Sequence, residues 1–174
     1  MLKKAGITIT IASLVCVFLD CIVFTRVNIM GVRPDMIMVL CVTLGILTGH
    51  LRSQLICGGI GLLCDIFITK LFGLNCAVYL LAGLISGMFF RKFYTDNVVF
   101  PALLTLALAF LREHIIAGAA AITGSSFNYG LLLITYILPC SVFTAVMCIP
   151  MFAILKPLLS QYGKFISEKH AGLL

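Results

Sequence analysis

Hydrophobic positions in this chain gather into long runs, and the lengths of those runs set the first expectation. A bilayer core of roughly 30 Å takes about 20 apolar residues in a helix, with about 17 to 25 tolerated. Six such runs are found, at about residues 5–24, 34–51, 55–72, 74–90, 98–117 and 131–155. Polar residues and helix breakers punctuate them. Pro34 suits a first helical position and Asp35 complements the helix dipole in the first turn, so the second element has a marked start. Gly73 supplies a tight hairpin between the third and fourth elements. Residues 124–130 read as a turn-rich loop. Arg112, Glu113 and His114 interrupt the fifth run before the small-residue stretch 117–122. Pro139 and Pro150 each remove a backbone donor from the sixth, which is therefore expected to bend. Residues 156–174 are left as a short cytoplasmic tail. The expected fold is an all-α integral membrane protein, a single six-helix transmembrane bundle.

Composition narrows this further. The chain is 62% hydrophobic and only 10% charged, with mean hydropathy +1.20, whereas soluble domains carry about 25% charged residues. A soluble domain and a disordered chain are both excluded on these grounds. Lys3 and Lys4 precede an apolar run too long for a cleaved leader and without a small-x-small cleavage site, so the run is expected to be retained. The eight cysteines, Cys16, Cys21, Cys41, Cys57, Cys64, Cys76, Cys140 and Cys148, lie in or beside apolar runs with no Cys-x-x-Cys. They read as reduced packing residues. His50, His114 and His170 lie in separate segments, and neither a metal nor a cofactor is expected.

Charge sets orientation. With the N-terminus inside and six crossings, Lys3, Lys4, Arg52, Arg91, Lys92, Lys156, Lys164 and Lys169 fall on the cytoplasmic side, eight of the twelve basic residues. Arg26, Arg33 and Lys70 fall outside, and Arg112 lies within a span. Both termini are expected to be cytoplasmic. The net charge of +6 is spread in ones and twos at helix ends, as topology determinants attracted to anionic lipid would be, and not in the stripe a nucleic acid would need.

An ionisable group at the bilayer centre costs on the order of 2.5 to 3.5 kcal/mol, so each needs a partner or a role. The candidates are Asp20, Asp65, Arg112 and Glu113. At about 1.5 Å per residue, Arg112 and Asp20 lie about 21 Å up their helices and Asp65 about 15 Å, so all three could meet. The expectation is that Asp65 or Asp20 pairs with Arg112, while Glu113 and His114 approach the outer interface. Gly58, Gly61, Asp65 and Thr69 share one stripe of the third helix, so Asp65 should face close-packed neighbours. Tyr79, Gly83, Ser86 and Gly87 form a similar stripe on the fourth. Gly83 with Gly87, and Gly45 with Gly49 on the second, have the small-x-x-x-small spacing of close helix contacts.

The order of features is specific between Pro34 and Lys92. Arg33, Pro34 and Asp35 open the second helix. Gly58, Gly61, Leu62, Leu63, Cys64, Asp65, Ile66 and Phe67 follow, then Phe72, Gly73, Leu74, Asn75, Cys76, Ala77, Val78 and Tyr79, and finally Gly83, Gly87, Arg91 and Lys92. This resembles the rod shape-determining MreD family. Cys64 and Lys70 depart from its pattern, and Lys70 leaves the outer end of the third helix open. The resemblance implies a non-enzymatic part in the machinery that inserts side-wall peptidoglycan at the bacterial cell membrane. Its implied partners are the bitopic protein MreC, the MreB filament, the glycosyltransferase RodA and its transpeptidase. It also implies a fold similar to the S components of energy-coupling transporters.

Three function classes follow. A membrane scaffold needs no catalytic group, and the chain has no nucleophile beside a base, acidic metal cluster or phosphate loop. A solute-binding transporter subunit is the alternative, motivated by intramembrane charges and a kinked helix. It would need a cavity, and the first helix has no Ala-x-x-x-Ala pair for coupling. An intramembrane aspartyl enzyme built on Asp20 and Asp65 has the least support, since the asparagine and arginine motifs of lipoprotein signal peptidases are absent.

Overall fold

The computed structural model describes residues 2–18, 20, 32–67, 73–89, 98–124 and 128–171. The elements are α1 (Leu2–Phe18), α2 (Met36–Thr48), α3 (His50–Phe67), α4 (Leu74–Met88), α5 (Val99–Ile122), α6 (Tyr129–Leu132), a π-helical turn (Leu133–Ile137) and α7 (Leu138–Ala171). No strand occurs among the described residues.

The centre of the fold is α2. All thirteen of its residues are buried, and α1, α3, α4, α5 and α7 all pack on it. At about 1.5 Å per residue it is about 20 Å long, well short of a bilayer core. Asp35 is its N-cap, accepting the Met38 N–H at 2.8 Å. Gly49 ends it at φ 87°, ψ 164°, a backbone region open only to glycine. The chain turns there at once into α3. The expected boundary between the second and third runs, after residue 51, therefore moves to Gly49, and Gly49 ends a helix where a packing contact had been expected.

Among the described residues, two helices are long and apolar enough to cross a membrane, Val99–Ile122 and Tyr129–Pro157, while the helices from α1 to α4 supply shorter apolar segments. The fifth helix does not stop at the charged triplet. It runs through Arg112, Glu113 and His114 to Ile122. In the sixth, the π turn precedes Pro139, with the Leu138 N–H donating five residues back to Leu133 O. Pro139 cannot donate to the carbonyl of Thr135, and the widened turn accommodates that missing bond. The helix then continues through Pro150 and Pro157 to Ala171, so most of the expected tail is helical.

The surface is apolar, and the apolar interior encloses a set of polar side chains. Leu55 and Ile122 are 77% and 88% exposed, while Thr43, Ser53, Ser86, Thr105 and Thr144 are fully enclosed. Each of these five hydroxyls donates to the carbonyl four residues back, at 2.6–2.8 Å. The helices thereby satisfy their own buried hydroxyls without water.

Candidate functional site

The N-terminal turn of α2 carries an ionic hub. A helix start leaves unsatisfied N–H groups, and here carboxylates take them up. Asp20 accepts from Met36 and Ile37 at 2.9 and 3.0 Å, and Asp35 accepts from Met38. The Asp35 N–H in turn donates to Thr144 Oγ1 on α7 at 3.1 Å. The helix dipole favours negative charge at this end, so Asp20 ties the end of the first element to the start of the second.

Arg112 reaches the same point from α5. Its Nε lies 3.0 Å from Asp35 Oδ2, an ion pair whose N–H does not aim at the oxygen. Its Nη1 donates to Glu113 Oε1 at 2.6 Å. The guanidinium carbon stands 5.5 Å from the centre of the Tyr79 ring, within cation–π range. The Tyr79 hydroxyl donates to Asp35 Oδ2 at 3.0 Å. The Asp35 side chain thus joins α2, α4 and α5, and its backbone N–H ties the same point to α7. Cys140 adds a contact from its thiol to Arg33 O at 3.0 Å.

These contacts revise the expected pairing. The carboxylates within ion-pair distance of Arg112, among the described residues, are those of Asp35 and Glu113. Glu113 is buried instead of approaching an outer interface, because it shares the guanidinium. His114 places Nδ1 2.8 Å from Phe110 O and its ring against those of Phe110 and Tyr129, which links α5 to α6. Asp35 had been assigned only to the helix dipole. Pro34 had been placed at the first helical position, but the helix begins at Met36 with Asp35 as its N-cap, and the partners of Asp35 on other helices lie 44 to 109 residues away in sequence.

Asp65 does a different job. It is buried at the end of α3, and its oxygens accept the N–H groups of Gly73 at 3.0 Å, Asn75 at 3.2 Å and Cys76 at 2.8 Å. It caps α4 from the neighbouring helix, across the turn that Gly73 makes at φ 94°. The expected close-packed surroundings of Asp65 are present. Thr69 of that stripe, with Arg26, Lys70, Arg91, Lys92 and Cys21, lies outside the described residues.

The small residues form the seams between α2, α3 and α4. A Cβ on Gly45 would run into Ser86 Oγ and come 2.9 Å from the Gly87 nitrogen. On Gly61 it would meet Cys76 Cα at 2.7 Å and Asn75 O at 2.8 Å, and on Gly83 it would meet Ser53 O at 3.0 Å. Gly58 faces the flexible end of Leu80 at 3.2 Å. Ser53 closes the α3–α4 seam by sharing its one hydroxyl proton between Gly49 O and Gly83 O, the latter at 2.9 Å. Tyr79, Gly83, Ser86 and Gly87 are all buried on α4, as their shared stripe predicts.

Residues 3–160 match the profile of the family described as rod shape-determining protein MreD. The chain belongs to the MreD family. Among curated proteins and solved structures, none matches it. MreD membership associates the chain with the membrane and with the determination of rod shape, in a family of structural proteins and not of enzymes. Asp35 and Asp65, the acidic residues of the MreD-like stretch from Pro34 to Lys92, take part in fixing how α2 and α4 begin, with Asp20 beside Asp35 at the start of α2.

Proposed function

We propose that this MreD protein is a six-span, non-enzymatic scaffold of the cell-wall elongation machinery, with both termini cytoplasmic, and that it binds MreC to organise side-wall peptidoglycan synthesis. MreB, RodA and its transpeptidase complete the machinery on this reading. The observation that carries it is the closure of the ionic hub on itself. Arg112 is engaged by Asp35, Glu113 and the face of Tyr79, and the first N–H groups of α2 are taken up by Asp20 and Asp35. Such a hub fixes helix positions and offers a rigid body against which a partner's span can dock. The apolar exterior supports placement in lipid, where the runs of exposed leucine and isoleucine carry no penalty.

The solute-binding alternative has less support at the intramembrane charges that motivate it. The cavity beside Arg112 holds about 40 Å³ and is lined chiefly by Met38, Val78, Leu108 and Leu111, room for a few waters only. The test is complementation in a rod-shaped bacterium depleted of its own MreD. An affinity-tagged copy is expected to restore rods and to retain MreC through purification. Restored rods without MreC in the purified material, or solute accumulation by the purified chain, would overturn the proposal.

A further inference from the structure

The flank of the bundle between α1 and α7 holds an apolar groove of about 420 Å³. Ile11, Ala12 and Val15 line it from α1, Met147, Met151 and Leu155 from α7, and Met36 from the start of α2. From Met147 to Leu155 the groove follows about 12 Å of helix, too short a track for a partner helix crossing a core of roughly 30 Å. Its length suits something confined to one leaflet.

Charge indicates which leaflet. Lys4 shares a face of α1 with Ile11 and Val15, at spacings of seven and eleven residues, and lies about 16 Å from Val15 along the axis. Half of a hydrocarbon core is about 15 Å. Val15 stands near the middle of the expected first run, 5–24, so with a cytoplasmic N-terminus the spacing sets position 4 near the headgroups and the groove alongside the chains of the same leaflet, ending where α2 begins. The methionine thioethers of the α7 wall and of Met36 adapt to a flexible hydrocarbon guest.

We propose that this groove seats one acyl chain of an anionic phospholipid of the cytoplasmic leaflet, with Lys4 at its phosphate. The proposal rests on the membrane reading with a cytoplasmic N-terminus. That reading has a separate check: an N-terminal tag in sealed vesicles must be digested from the cytoplasmic side, and protection from that side would sink the reading itself.

The proposal is tested with the full chain in nanodiscs carrying either phosphatidylglycerol or phosphatidylcholine with a mid-chain diazirine, photolysed and mapped by mass spectrometry. Phosphatidylglycerol is expected to label the segments around Val15 and Met151 several-fold above the exposed α5 positions Leu103 and Leu111, and phosphatidylcholine to label all of them alike. Filling the groove with Ala12→Phe or Met151→Phe should remove the excess. Lys4→Glu should abolish the preference for phosphatidylglycerol while Lys3→Glu keeps it, all four variants melting like the parent. Equal labelling of α5, indifference to both filling variants, or loss of the signal when purified MreC is added would overturn the proposal. The last outcome would assign the groove to a protein span.

Discussion

Removing the guanidinium of Arg112 would leave Asp35 with the Tyr79 hydroxyl and the Met38 N–H but without its cation. Breaking one side of a buried pair costs about 3 to 5 kcal/mol, because the remaining charge stays desolvated. Arg112→Met is therefore expected to lower stability by about 3 kcal/mol, read as a drop in the detergent unfolding midpoint. Adding Asp35→Asn should recover part of that loss, and additive effects in the double variant would show that the two groups do not interact. Tyr79→Phe removes only one hydrogen bond to a carboxylate and should cost about 1.5 to 3 kcal/mol. A Tyr79→Phe protein as stable as the parent would remove the tyrosine from the hub.

The helices test the close approaches. Gly45→Ala puts a methyl group into Ser86 and the Gly87 backbone, and overpacking of this kind costs about 1 to 3 kcal/mol. Gly59→Ala meets nothing within 4 Å and should be neutral or slightly stabilising, since alanine is favoured over glycine inside a helix. Equal effects at the two positions, measured by thermal unfolding, would contradict the seam. Asp65→Asn exchanges a carboxylate that accepts three N–H groups for an amide with a single acceptor oxygen. Faster hydrogen exchange at Gly73, Asn75 and Cys76 is expected, and unchanged exchange would rule out the latch. The apolar runs located these elements well, but their ends were legible only where the backbone announces them, as at Pro34 and Asp35. Ser53 and the basic residue beside it read as a loop, whereas Ser53 satisfies its hydroxyl inside the bundle. The charged triplet on α5 likewise suggested an interruption, because a linear pattern cannot show Arg112 and Glu113 neutralising each other. Pro34 and Asp35 marked the start of α2 to within two residues, but the hub at Asp35 was unreadable, since its other contacts depend on how distant helices align.

At the scale of the molecule, the proposed topology predicts that reporters fused to the two ends respond from the same, cytoplasmic, face, and opposite responses would refute an even number of crossings. The total burial of α2 has a further consequence during synthesis. This segment leaves the ribosome second, yet α4, α5 and α7, which enclose it, are made later. Until residue 112 arrives, 77 positions downstream, the carboxylate of Asp35 has no guanidinium to meet. The innermost piece must therefore wait, loosely held, for its sheath. Nascent chains halted before Val99 are expected to be cut by protease within α2, and chains released after Pro157 to resist; early resistance would mean that the centre matures without its surroundings.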